Sequence, residues 1–245
     1  YTFLMEHPDF NKTFDVALHL GTLVAALAYF RREVAGLLAA FLAAARRRAV
    51  TTPRERLAVA IAIGTLPAVV AGGLGSSFID EHLGEPWMIA VQLVFFGALL
   101  GWADRMPQRK RLEEGGLRDV LWIGLAQVLA LAPGTSRSGI TITAGRWLGL
   151  DRDGAARFSF LLLIPVVAGA TAYKALTAAR DGLPDGVVGP MAVGTVAAAV
   201  SGYLAIAFLL RLVRTVSYRP FVLYRYAAGA AILLVIAVGL RPATF

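Results

Sequence analysis

The stretch LALAPGTSRSGIT, residues Leu129–Thr141, sets one arginine, four hydroxyl side chains and two glycines between apolar arms. A charge inside a bilayer is costly and by default marks a site. Whether Arg137 sits in a spanning helix or in something that does not cross decides how the rest of the chain is threaded.

The surroundings are those of a membrane protein. The chain has 245 residues, 58% of them hydrophobic, against about 45–50% in soluble domains. Six apolar segments carry almost no charge: Val16–Phe30, Leu57–Leu74, Trp87–Trp102, Phe158–Ala178, Val187–Leu210 and Phe221–Leu240. Lengths near 20 residues suit a membrane span, and only helices satisfy their own backbone in lipid without closing a barrel. A soluble helical protein cannot hide so many unbroken apolar helices. The expected fold is an all-α integral membrane protein of six spans, one polytopic domain over residues 1–245.

The net charge is +8, and all but three of the 24 basic residues are arginines. They fall in short loops, so they read as topology determinants and contacts to anionic headgroups, not to nucleic acid. The absence of cysteine excludes disulfides and thiolate metal sites. His7, His19 and His82 lack metal-ligand spacing.

Arginine counts orient the loops. Arg31 to Arg56 holds seven arginines against two glutamates and should lie inside. Gly75 to Pro86 has Asp80, Glu81 and Glu85 but no base, and should lie outside. Ala103 to Arg118, the loop around Arg152 and Arg157, and the loop with Arg211, Arg214 and Arg219 should be inside; Ala179 to Gly186 should be outside. The segment Asp119–Leu150 must then leave and return on one side. Its arms, Val120–Ala132 and Gly139–Leu150, reach only about 18 Å into a core of about 30 Å. The expectation is a re-entrant helical hairpin with PGTSRSG at its tip. The rival, one broken spanning helix, puts Arg211–Arg219 outside, against the bias.

The chain also resembles itself. FDVALHLGTLVAALAY (Phe14–Tyr29) parallels FSFLLLIPVVAGATAY (Phe158–Tyr173), and IAIGTLPAVVAGGL (Ile61–Leu74) parallels MAVGTVAAAVSGYL (Met191–Leu204). Pro86–Trp87 parallels Pro220–Phe221. The copies start on opposite sides, which suggests an inverted repeat, about 1–103 and 119–245, an arrangement that assembles sites near the midplane. The first repeat should then have its own hairpin before Phe14, and the 13 residues there do not hold one. The chain opens on Tyr1 without a methionine or signal pattern, and the partner hairpin is expected upstream.

In the tip, Pro133 ends the first arm and Gly134 permits the reversal. Ser136 or Ser138 can cap the second arm, and Gly139 lets a ligand approach the backbone. The helix start offers free N–H groups and a positive dipole end. Arg137 adds a planar, permanently charged fork suited to phosphate oxygens, and Thr135, Ser136, Ser138 and Thr141 add hydroxyls. No Asp or Glu lies between Asp119 and Asp151 to neutralise Arg137. The sum is a phosphate or diphosphate cradle within the membrane. Gln127, in the first arm, either lines that site or bonds a neighbouring helix. Asp15 with His19, and Ser159 with Pro165, read as structural; Leu37–Ala45 reads as an interfacial helix. A P-loop lysine is missing, the G-x-S-x-G elbow is broken at Ser138, and no histidine lies within 50 residues of Ser136.

The tip, the following FSFLLLIPV and the earlier FDVALHLGTL together resemble the undecaprenyl-diphosphate phosphatase family, also called bacitracin-resistance proteins, over essentially the whole chain. The resemblance implies hydrolysis of undecaprenyl diphosphate to undecaprenyl phosphate and inorganic phosphate. That recycles the lipid carrier for peptidoglycan and confers bacitracin resistance, in a multi-pass protein of the bacterial inner membrane. It assigns diphosphate binding to Ser136, Arg137 and Thr141, with Ser136 and Arg137 as the catalytic candidates. Gly134, Thr135, Ser138, Gly139 and Gln127 are further substrate-binding candidates. It implies help from a divalent cation, Mg²⁺ or Ca²⁺, whose ligands this chain does not reveal. The family's glutamate-rich first motif has no match: Glu6 and His7 fall in the linker before FDVALHLG, and the acid/base glutamate and histidine should precede Tyr1. Expected partners are the polyprenyl diphosphate and membrane lipids, with room for a homodimer. The competing class is an inverted-repeat transporter or flippase for a lipid phosphate or organic anion; a non-catalytic scaffold has no use for the Arg137 cluster.

Overall fold

A computed structural model describes residues 8–181, 186–240 and 242. Among them the regular structure is helical: α1 (Pro8–Tyr29), α2 (Arg31–Arg47), α3 (Pro53–His82), α4 (Pro86–Ala103), α5 (Leu117–Val128), α6 (Arg137–Trp147), α7 (Arg152–Asp181), α8 (Val188–Thr215) and α9 (Arg219–Ala237). Short 3-10 turns cover Leu112–Glu114 and Leu129–Leu131. Glu6 and His7, the side chains of Asp15, Asp80 and Glu81, and most of the outer connection around 182–185 lie outside the described residues.

Among the described residues five stretches are long and apolar enough to cross a membrane: Pro53–Leu74, Pro86–Ala103, Arg152–Thr177, Val188–Thr215 and Arg219–Ala237. The sixth expected span corresponds to the shorter apolar segment Val16–Tyr29 of α1. Helices outrun their apolar cores: α3 continues to His82 and α7 begins at Arg152. The start of α3 is fixed by a capping box, in which Glu55 N donates to Thr52 Oγ1 and Thr52 N to Glu55 Oε2, each at 3.2 Å. The expected interfacial segment Leu37–Ala45 lies within α2, which has arginines at both ends. Leu66, Val69 and Val70 on α3, Phe95 on α4 and Leu234 on α9 are exposed, as lipid-facing side chains are.

The chain forms two compact units. One comprises residues up to Gly36 and Leu163–Arg211. In it α1 meets α8: the Thr195 hydroxyl donates to the Ala17 carbonyl at 3.1 Å, and a Cβ on Gly21 would stand 2.4 Å from the Thr195 carbonyl oxygen. The other comprises Leu37–Leu162 and the chain from Leu212 onward. Each unit therefore draws on both halves of the sequence.

The second unit holds the hairpin. Arms α5 and α6 have 12 and 11 residues, about 18 and 16 Å. Arm α5 crosses α3 where Gly124 meets Gly64; a Cβ on Gly124 would stand 2.5 Å from the Gly64 carbonyl oxygen. The two ends of the hairpin are tied together. Arg109 N and Lys110 N donate to the Gly149 carbonyl, and Asp151 N donates to the Lys110 carbonyl. The segment therefore leaves and returns at one level, as a re-entrant hairpin must and a broken spanning helix cannot.

That level is also where three of the loops expected inside meet, those around Asp104, Arg152 and Arg214. Arg152 pairs with Asp104 at 2.6 Å, Arg214 with Asp153 at 2.9 Å and Lys110 with Asp119 at 2.6 Å. Tyr218 N donates to Asp104 Oδ2, and its phenol donates to the Arg152 carbonyl at 2.8 Å. Burial pushes the Tyr218 phenol up from its ordinary pKa, which keeps it a donor. Arg146, fully buried, donates to the carbonyls of Leu150, Asp104 and Met106. Trp102 and Trp147 stack edge to face at 5.3 Å, an interfacial aromatic pair.

Candidate anion site at the hairpin tip

Helix α4 is a ruler for the depth of the tip. It runs from the outer loop at Pro86 to the base at Ala103. Tip residues meet it at Ile89 and Gln92, 14 and 11 residues before Ala103, about 21 and 17 Å from the base. The arms are about as long as that distance. The tip thus meets α4 beyond the middle of that helix, in the half farther from the base.

Local sequence builds the turn. After Leu129–Leu131, Ala132 is extended (φ −71°, ψ 127°), as the residue before a proline prefers. Gly134 has φ +89°, and a Cβ there would stand 2.7 Å from the Ile89 carbonyl oxygen. Ser136 has φ +68° and ψ 117°, a backbone state that costs a non-glycine residue about 1–3 kcal/mol. Ser136 is the N-cap: its Oγ accepts from Gly139 N at 3.2 Å. A Cβ on Gly139 would crowd that Oγ at 3.2 Å.

Among the described residues, the backbone N–H groups of Ser136, Arg137 and Ser138 donate to no protein acceptor. Among the described residues the Arg137 guanidinium likewise makes no hydrogen bond or ion pair. Ser136 is exposed, and Arg137, Ser138 and Gly139 are half-buried. These groups form the open part of the tip.

The remaining candidates are turned inward. Thr135 is fully buried, and its hydroxyl donates to Gln92 Oε1 at 3.3 Å. Thr141 is 1% exposed; its Oγ1 lies 2.9 Å from the Arg137 carbonyl and 2.7 Å from Ser159 Oγ. It braces α6 against α7, which gives Ser159 the packing role expected of it. Gln127 is 2% exposed, and neither amide atom has a partner among the described residues. The interhelical bond allowed for it in the sequence reading is therefore not made there.

Sequence reasoning missed one residue that the structure puts beneath the tip. Arg225 of α9 is 6% exposed. Its Nη2 donates to the Gly134 and Thr135 carbonyls at 2.8 and 2.9 Å, and its Nε to the Leu93 carbonyl at 3.2 Å. The signal was an arginine six residues inside the 19-residue helix α9, where charges are rare and functional.

No three His, Cys, Asp or Glu side chains come together among the described residues. The tip offers N–H groups, hydroxyls and two guanidinium charges, which repel a cation. These residues do not fit the divalent ion expected from the resemblance; they fit an anion.

The fold and the tip define a class: a multi-pass helical membrane protein with a cluster of uncommitted donors at the end of a re-entrant hairpin. The model of the bacitracin resistance protein BacA family matches residues 2–231, and the chain belongs to that family. It is 48% identical over 232 residues to the undecaprenyl-diphosphatase of Geobacter sulfurreducens, covering 94% of this chain and 86% of the relative. The Pelobacter propionicus undecaprenyl-diphosphatase is 44% identical over 239 residues, with coverages of 97% and 88%. Undecaprenyl-diphosphatase 2 of Stutzerimonas stutzeri is 45% identical over 234 residues, with coverages of 92% and 84%.

Proposed function

We propose that this protein hydrolyses undecaprenyl diphosphate to undecaprenyl phosphate and inorganic phosphate, with water displacing the lipid phosphate at the terminal phosphorus. The product is the carrier lipid that cell-wall synthesis consumes, and removing the diphosphate form deprives bacitracin of its target. The observation that carries the reading is the tip itself: an uncommitted guanidinium beside three undonated N–H groups, with no Asp or Glu in either arm beyond Asp119 at the base. Such donors bind phosphate in the ground state and hold the charge that develops in the transition state. Matching names at 43–48% identity support the substrate class.

In this reading Arg137 and Ser136 are the catalytic pair. Arg137 holds the terminal phosphate by its fork, and the exposed Ser136 hydroxyl meets it while its oxygen lone pair caps α6. Ser138 and Gly139 complete the cradle; Gly134, Thr135 and Thr141 shape it from beneath. The orphaned Gln127 amide is assigned to lining the same site. Proton-transfer groups are assigned to a counterpart hairpin, since Asp119–Asp151 encloses no carboxylate or imidazole. No residue described here is assigned to a divalent cation. The protein is placed in the bacterial inner membrane, with its exposed apolar flanks leaving room for a homodimer.

Phosphate release from undecaprenyl or farnesyl diphosphate in proteoliposomes tests the reading. Stoichiometric release of inorganic phosphate is expected. Leaflet exchange of labelled lipid without phosphate release would assign the protein to transport instead.

A further inference from the structure

The geometry points to Arg225 as a positioning residue of the tip, one that aims the phosphate-binding N–H groups and supplies a second positive charge to the anion. This rests on the tip being a diphosphate site. Peptide planarity carries the first half of the claim. Nη2 of Arg225 holds the Thr135 carbonyl at 2.9 Å. In a trans peptide the N–H points opposite to the C=O, so the Ser136 N–H is turned away from Arg225 and toward the open face. The same clasp on the Gly134 carbonyl at 2.8 Å holds the residue before it. Ser136 can then keep its φ of +68°, because the two preceding peptides cannot rotate to relieve it. Arg225 is itself fixed from α4 by the Leu93 carbonyl.

Charge carries the second half. Arms α5 and α6 beyond Asp119, helix α4 and helix α9 contain no Asp or Glu. Arg137 and Arg225 thus lie within one low-dielectric region, and among the described residues neither is paired with a carboxylate. Nη1 of Arg225 has no acceptor among the described residues, and it faces the first turn of α6: a Cβ on Gly139 would come within 3.4 Å of it. A diphosphate seated on that turn is the counter-ion the pair lacks. Lysine cannot replace Arg225, because one ammonium cannot reach three carbonyls in the plane of a fork.

The test compares Arg225→Met and Arg225→Lys with the wild type in the full-length protein. Two readouts are taken: kcat for phosphate release, and the rise in Tm on adding inorganic pyrophosphate in detergent. Expected are a kcat loss of at least 100-fold for Arg225→Met and at least 10-fold for Arg225→Lys. Neither variant should gain the pyrophosphate-induced Tm rise of the wild type. A folded Arg225→Lys with near-native kcat and an intact Tm rise overturns the inference; so does such a result for Arg225→Met. If Arg225→Met does not fold, Arg225→Lys decides. A wild type that gains Tm from pyrophosphate but releases no phosphate removes the phosphatase reading and leaves the clasp standing. A wild type that gains nothing from pyrophosphate and releases no phosphate overturns both; one that releases phosphate without that gain overturns the inference alone.

Discussion

The hairpin has buried arginines at both ends, and they are treated differently. At the base, Arg146 donates to three carbonyls and lies in one polar cluster with Asp104, Arg152 and Tyr218, where Asp104 meets Arg152 at 2.6 Å. At the tip, Arg225 donates to three carbonyls as well, but among the described residues neither it nor Arg137 pairs with a carboxylate. The base has a carboxylate, Asp104, inside its cluster and forms a latch. The tip keeps its excess charge, three free N–H groups and a strained serine, which in the proposed reading an anion completes. Strain and uncompensated charge persist where the surrounding structure over-determines them, and here the base and the α4 and α9 contacts do that.

The largest expected effect breaks the tip. Arg137→Lys should lower kcat by roughly 10²–10³, the scale of losing a preorganised transition-state donor, with Tm unchanged; near-native phosphate release would remove Arg137 from the chemistry. Breaking the base should do the opposite. Asp104→Ala leaves Arg152 and the Tyr218 amide without their acceptor and should cost about 3 kcal/mol of stability, read as a lower Tm, while turnover per folded molecule stays close to wild type. A loss of turnover without a loss of Tm would erase the distinction between the two ends.

Two glycines sharpen the comparison. Gly134 at the tip and Gly149 at the base have nearly the same φ, +89° and +91°. Alanine at Gly149 meets only the Arg109 side chain, at 3.4 Å, and should cost the left-handed penalty of about 1–2 kcal/mol. Alanine at Gly134 adds a clash with the Ile89 carbonyl at 2.7 Å, so it should cost more and should also lower kcat. Thermal unfolding and phosphate release on both variants check this; equal effects would mean the tip is no more tightly defined than the base.

The hairpin was legible in the sequence because topology is written in charge. Arginine-rich loops with the same sign on both sides of Asp119–Leu150 forced a return, and Pro133 with Gly134 marked the turn. A serine cap followed from the place of Ser136 and Ser138 at a helix start, and the structure gives the role to Ser136. What stayed hidden were contacts between distant segments. Thr141 sits in the tip motif among other hydroxyls, and only its packing against Ser159 shows that it faces inward. Arg225 was passed over inside FVLYRYAAG because hydropathy averages a lone charge away; its partners, the carbonyls of Leu93, Gly134 and Thr135, have no sequence signature. The composition of each half likewise gives no sign that the compact units mix both halves.

The most direct test of the account is the depth and sidedness of the tip. The chain has no cysteine, so Ser136→Cys and Arg109→Cys each place a single thiol in it, at the tip and at the base. With a membrane-impermeant maleimide applied from one side at a time, the account predicts that Cys at 136 is labelled only from the outside and is protected by inorganic pyrophosphate. Cys at 109 should be labelled only from the inside, with no protection. Labelling of position 136 from the inside, or from the outside with no protection by pyrophosphate, would contradict it.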